Sequence, residues 1–264
     1  MKNDSIGIFD SGFGGLTVMR AIKSVLPHEN LIYFGDTAHL PYGEKSADAI
    51  VRYTLESSRF LIQQGIKMLV IACHTASTAA LDLLQNSFDI PVVGVISPSV
   101  ETVLEVSKGG QIAILGTRAT ILSGVYQRQI QNRLPHAQIT PISCPLFVPI
   151  VEEGYSEHPL TRLLVQEYLR PLHTKPIDTL LLACTHYPLL TAHIQNVLGE
   201  EVLLVDPATS CAEQIAKLLA SSHLENPERD LPHYQFYVSD DPEKFRILGK
   251  TFLNYPIEHV STPH

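Results

Sequence analysis

The chain carries one apolar pattern twice. IGIFDSGFGGL, starting at Ile6, is matched by IAILGTRATIL, starting at Ile112, and LVIACHTASTAAL, starting at Leu69, is matched by LLLACTHYPLLTA, starting at Leu180. VISPS (Val95–Ser99) likewise stands beside VDPAT (Val205–Thr209). The offsets are 106, 111 and 110 residues, so order and spacing persist through both halves. Such self-similarity constrains a fold more than any single motif does, because each copy must form the same supersecondary unit.

The unit reads as α/β. Short apolar runs alternate with amphipathic stretches of ten or more residues, and Gly, Pro, Asn or Asp punctuate the joints. The runs predict strands at Ile6–Asp10, Leu31–Gly35, Met68–Ala72, Pro91–Val95, Gln111–Gly116, Gln138–Ser143, Thr179–Ala183 and Val202–Val205. Most are continuously hydrophobic, as parallel strands buried on both faces must be. Between them, Leu16–Leu26, Ala47–Gln64, Ser77–Gln85, Ile121–Leu134, Pro159–Leu172 and Pro188–Val197 read as helices, with a further strand at Tyr234–Val238 and a helix from Pro242 to about Leu248. The matched dipeptides Ser97-Pro98 and Asp206-Pro207 bias the residue before proline toward extended geometry, which marks them as crossovers between lobes. This divides the chain into a discontinuous first α/β domain, 1–97 plus 207–264, and a second of 98–206, with the candidate site in the cleft between two pseudo-symmetric, mostly parallel sheets. A single doubly wound sheet is the alternative.

Composition narrows the ligand class. The 264 residues suffice for one large domain or two. Nineteen Lys and Arg against 27 Asp and Glu give a formal charge of −8, and the basic residues are scattered, which argues against nucleic acid. No apolar run approaches the ~18 residues of a membrane span, and MKNDS leads directly into a strand, so a cytoplasmic protein with reduced thiols is expected.

In both halves a buried strand ends in Ala-Cys, with a helix close behind. Cys73 and Cys184 thus stand at strand C-termini and near helix N-termini, where open α/β sheets place ligands and where a thiolate is favoured. A lone cysteine would read as a small buried hydrophobe, as Cys144 and Cys211 do. Duplication singles out Cys73 and Cys184 as a pair converging on one cleft, suited to a reaction in which one face loses a proton and the other gains one. Asp10, ending the first strand, and His186, two residues after Cys184, are candidate proton partners, though a cap or core role also fits each. Glu152 and Glu153 are candidates to orient His186. DSGFGG (Asp10–Gly15) lacks the Lys-Ser/Thr of a phosphate loop; its glycines are expected to let backbone N–H groups approach a small anion, with Ser11 adding a hydroxyl. The Cys and His spacings do not match a structural zinc site.

Six strings in order resemble the cofactor-independent aspartate/glutamate racemase superfamily, in particular its glutamate racemases: DSGFGGLTV, FGDTAHLPYG, ACHTAS, GTRATILS, CPLFVPIVEEG and ACTHYPLL. The resemblance spans nearly the whole chain. It implies two α/β domains with substrate buried between them, interconversion of L- and D-glutamate for peptidoglycan synthesis, no cofactor and no metal. It identifies Cys73 and Cys184 as the acid/base pair, with Asp10 beside the first and His186 and Glu152 beside the second. Asp10, Ser11, Pro41, Tyr42, Gly43, His74, Thr75, Thr117, Thr120, Thr185 and His186 match its substrate-binding segments. The family often forms dimers, so a homodimer is the assembly the resemblance allows, without nucleic acid or membrane.

One position departs. Where the family usually has Cys-Asn-Thr, this chain has Cys73-His74-Thr75, so a titratable ring replaces an amide and should affect substrate range, rate and pH profile. The rivals to glutamate racemisation are action on aspartate, hydantoin or maleate, a non-catalytic amino-acid sensor, and a Cys-His hydrolase in which His186 activates Cys184.

Overall fold

The computed structural model describes residues 2–228 and 231–263. Among the described residues nine strands form two sheets, in which each pair of neighbouring strands is parallel. The first contains β1 (Ile6–Asp10), β2 (Leu31–Gly35), β3 (Met68–Ile71), β4 (Val92–Gly94) and β9 (Tyr234–Val238), in the order β4-β3-β1-β2-β9. The second contains β5 (Gln111–Gly116), β6 (Gln138–Ser143), β7 (Thr179–Ala183) and β8 (Leu203–Val205), in the order β6-β5-β7-β8. Read from its other edge, the second sheet repeats the first: β8-β7-β5-β6 against β4-β3-β1-β2. The duplicated pattern in the sequence is therefore a duplicated topology, to which β9 adds one strand.

The central strands are mostly apolar because helices cover both faces, with polar residues at their ends: Asp10 in β1, Gln111 in β5 and Thr179 in β7. β1, β2, β3 and β7 are wholly buried, whereas β6 at a sheet edge is mostly half-exposed. α1 (Leu16–Val25), α2 (Ala47–Gln63) and α3 (His74–Ser87) follow the first three strands of the first half, and Ser46 caps α2 by accepting from the Ala49 N–H. In the second half come α5 (Arg118–Ser123), α6 (Val125–Arg133), α7 (Phe147–Glu152), α8 (Pro159–Leu169) and α9 (Thr191–Leu198).

Two helices change sides. α4 (Ile96–Val106), which follows the first half's edge strand, packs on β7, β8 and α6, while α10 (Ala208–Ser221), which follows β8, packs on α1 and α4. α11 (Pro242–Leu253) then lies against α1. One apolar cluster runs through both halves, and each sheet has a further cluster on its opposite face.

The structure departs from the sequence reading in several places: α4, α7 and α10 are helices it does not mark, α3 starts at His74 and α9 at Thr191. Ile121–Leu134 is not one helix: Gly124 adopts φ +65°, and this left-handed residue ends α5 and begins α6. Ser97 is not extended; Ser97-Pro98 falls in the first turn of α4, where proline's missing N–H costs nothing. Met68–Ala72 and Pro91–Val95 each shorten by a residue or more as chain leaves the sheet for a helix. The helix expected from Pro242 continues to Leu253, held by buried Phe245 and Phe252.

Candidate active site

β3 and β7 end on Ile71 and Ala183, and the chain then turns Cys73 and Cys184 into a single cavity between the two sheets. The atom-free space in and around the cavity is about 510 Å³, a figure that includes open solvent at its mouth. Its walls include Ser11, Cys73, His74 and Thr75 from the first half and Thr117, Cys184, Thr185 and His186 from the second. Leu40, Pro41, Tyr42, Gly43 and Glu44 roof it. No lysine or arginine lines it among the described residues, so an anionic guest must be held by hydroxyls, ring nitrogens and backbone N–H groups.

Each thiol has its own retinue. Cys73 is the N-cap of α3: its Sγ accepts from the Ala76 N–H at 3.4 Å and donates to Ser11 Oγ at 3.4 Å. Behind Ser11, Asp10 is fully buried; its Oδ2 accepts from the Gly12 N–H at 2.9 Å, and its Oδ1 has no hydrogen-bond partner among the described residues. Cys184 lies 4.0 Å from His186 Nδ1, and His186 Nε2 donates to Glu152 Oε1 at 2.9 Å. Glu153 does not share this role; it is exposed and faces Lys244 at 4.0 Å.

The fold alone does not activate the thiols, contrary to the expectation from helix N-termini. Burial, reinforced by the charge of Asp10, pushes Cys73 up to about 11, and the N–H and hydroxyl donors offset only part of this. Burial likewise holds Cys184 well above its ordinary value, with the His186 backbone N–H opposing. Asp10 is raised by burial, against the pull of His186 and the Gly12 N–H.

The remaining expected residues divide into wall and backing. Thr75, Thr117 and Thr120 join their hydroxyls across the halves at 2.9–3.0 Å, but only Thr75 and Thr117 reach the cavity; Thr120 braces them from behind. Asp10 and Glu152 are also backing residues and do not line the cavity. His74 is a wall residue whose Nδ1 meets the Tyr126 hydroxyl at 2.6 Å. Burial pushes its ring down to about 3, so it is a neutral group at working pH and does not act as a proton switch there.

Gly14 was expected to open backbone donors to an anion, and packing supplies a different reason for it. A Cβ there would stand 2.5 Å from His186 Nδ1 and would also strike Thr185 Oγ1, so the glycine lets the halves close on each other. The sequence reading missed Leu40, Glu44, Pro145 and Val148 in the wall, Tyr126 behind His74, and Phe252, whose ring meets His186 edge-on at 5.2 Å. Pro145 and Val148 lie within CPLFVPIVEEG, whereas Tyr126 and Phe252 carry no local signal.

Known proteins place this architecture. A sequence model of the Asp/Glu/Hydantoin racemase family matches residues 6–215. The chain is 46% identical to a glutamate racemase of Syntrophus aciditrophicus over 97% of its own length and 94% of that protein's. Its structure resembles that of a Francisella tularensis glutamate racemase in complex with D-glutamate, with a TM-score of 0.94 and 38% identity, covering 100% of this chain and 98% of that one. An aspartate racemase of Picrophilus torridus, 17% identical over 84% of this chain and 99% of its own with a TM-score of 0.59, shares the fold alone.

Proposed function

The chain belongs to the Asp/Glu/Hydantoin racemase family, and we propose that within it the protein interconverts L- and D-glutamate by moving the α-proton between Cys73 and Cys184. The observation that carries this reading is the convergence of two thiols, from equivalent strand ends of a repeated fold, on one cavity.

The chemistry follows from those walls. One cysteine, as thiolate, takes the α-hydrogen; the C–H bond breaks, an S–H bond forms, and the electron pair stays on the substrate, delocalised into its α-carboxylate. The thiol on the opposite face then donates its proton to the α-carbon, leaving the two cysteines with exchanged protonation states. Forming the first thiolate is the difficulty, since burial holds both protons on. A substrate ammonium brought into the same dry cavity favours the thiolate electrostatically. Asp10 on one side and His186, oriented by Glu152, on the other are the groups through which those protons enter and leave. Hydroxyls of Ser11, Thr75, Thr117 and Thr185, with N–H groups of the roof at Tyr42 and Gly43, hold the carboxylates. No bound cofactor enters this scheme.

The same reading divides the chain into domains 1–97 with 207–264 and 98–206, supported by the exchange of α4 and α10 and the return of β9 to the first sheet. It places the protein in the cytoplasm as a source of D-glutamate for peptidoglycan, with a homodimer as the assembly to look for by light scattering. The decisive experiment incubates each glutamate enantiomer in deuterated water, follows α-hydrogen exchange by mass, and separates the products by chiral chromatography. Glutamate bound without exchange would mark a sensor, and exchange of aspartate in preference to glutamate would mark a different substrate.

A further inference from the structure

Asp36 stands immediately after β2, and its backbone N–H donates to the Asp10 carbonyl at 3.0 Å. The equivalent place in the second half, after β6, is Cys144, whose N–H donates to Gly116 in the same way at 2.9 Å. There the repeat departs: one copy has an inert buried thiol, the other a buried carboxylate at 2% exposure.

Three side chains from different segments converge on that carboxylate. The Tyr42 hydroxyl donates to Oδ2 at 2.6 Å, the Ser239 hydroxyl donates to Oδ1 at 2.8 Å, and His39 Nδ1 lies 2.8 Å from Oδ1 and 2.9 Å from Oδ2. A carboxylate only accepts, so its lone pairs suit three donors and tolerate no rearrangement that removes them. Ser239 Oγ also accepts from the Ala38 N–H at 2.9 Å, while Thr37 and Asp240 exchange two more hydrogen bonds. The roof over the cavity is thus tied to the segment after β9, the one strand outside the repeat.

Asp36 itself does not line the cavity, but Tyr42 does, with its ring 6.3 Å from Phe9 and 6.1 Å from Tyr53. We propose that Asp36 is a positioning residue for racemisation, holding the roof Leu40–Glu44 closed over the two thiols through Tyr42. The proposal rests on the reading of the cavity given above.

The test uses the full chain with Asp36→Asn, Tyr42→Phe and the double variant. Without any amino acid present, iodoacetamide should alkylate Cys73 and Cys184 about tenfold faster in Asp36→Asn, while Cys211, buried in α10, keeps its rate and so reports that the fold is intact. The KM for both glutamate enantiomers should rise by about the same factor with kcat changed less, and the double variant should be no worse than Asp36→Asn alone. If Asp36→Asn does not fold, Ser239→Ala removes one donor and should give about a two- to threefold acceleration at Cys73 and Cys184. Unchanged alkylation of the two thiols relative to Cys211 overturns the proposal, as do Asp36 and Tyr42 effects that multiply. A wild-type chain that fails to exchange the glutamate α-hydrogen sinks the racemase reading instead, and leaves the alkylation measurement able to judge the roof.

Discussion

His186 is a bridge between Glu152 and Cys184: its Nε2 donates to the carboxylate at 2.9 Å, and its Nδ1 faces the thiol at 4.0 Å. Because Nε2 carries the hydrogen, a neutral ring presents a bare Nδ1 to the sulfur, which is the tautomer a proton acceptor needs. Glu152→Gln keeps an acceptor for the Nε2–H and removes the charge that stabilises the imidazolium. It should lower kcat/KM roughly 10- to 100-fold. Enantiomers have an equilibrium constant of one, so kcat/KM must fall equally in both directions. The asymmetry should appear in the α-deuterium isotope effect, larger for whichever enantiomer loses its proton to Cys184; equal isotope effects would count against this assignment.

Cys73→Ser and Cys184→Ser should each reduce racemisation by at least about 1000-fold, because an alcohol is far harder to ionise than a thiol. Each single variant should retain slow α-hydrogen exchange, or elimination from a substrate with a β leaving group, on one enantiomer. Full racemisation by either would contradict a two-thiol scheme.

Thiol burial also sets a stability profile. Cys73 is pushed up to about 11 and Cys211 to about 12, whereas an unfolded cysteine titrates near 8.5. The folded chain therefore keeps protons that the unfolded chain releases, so this stabilisation is complete below about pH 8.5 and is lost as pH rises through 11–12. Thermal melts should be level between pH 7 and 8 and about 5 °C or more lower at pH 10. Cys211→Ala should flatten that slope; a wild-type melting temperature unchanged at pH 10 would be inconsistent with buried, protonated thiols.

His74→Asn should leave the shape of the rate profile between pH 5 and 9 unchanged, because burial holds the ring neutral from about pH 4 upward. It should alter the ratio of kcat/KM for glutamate to that for aspartate by about threefold or more, since it changes the donor geometry of the wall and strands the Tyr126 hydroxyl. Identical kinetics and substrate range would remove His74 from the list of specificity residues.

Gly14→Ala should cost about 100-fold in kcat/KM while the chain still folds. Its methyl would occupy space held by Thr185 and His186, displacing the ring on the Cys184 side. Activity within a few-fold of wild type, checked alongside circular dichroism, would show that the halves can close around the added atom.

The features legible in the sequence were those written locally. The strands betrayed themselves as apolar runs because parallel strands must be apolar on both faces, and Cys73 and Cys184 stood out because each ends one copy of a repeated strand. The break at Gly124 was hidden inside an unbroken amphipathic pattern: periodicity reports a buried face and is blind to one left-handed residue. Ser97 looked like an extended residue before proline, but a proline in a helix's first turn carries the same local signature. Helix ends that favour a thiolate are visible in a sequence, whereas the depth of burial that raises Cys73 is a tertiary property. Asp36 lies within FGDTAHLPYG, but nothing local marks its role, since its partner Ser239 lies 203 residues away.

The shared strand order of the two sheets has a consequence for stereochemistry. Two copies of a chain of L-residues can be superposed only by rotation, never by reflection, because a right-handed helix or crossover has no mirror-image version in the same chemistry. L- and D-glutamate, by contrast, are related only by reflection. The halves can offer a thiol to each face of a flattened α-carbon, but the handed surroundings of that carbon cannot be mirrored. The two enantiomers must therefore lie in chemically different environments, with Ser11 and Asp10 near one sulfur and His186 and Glu152 near the other.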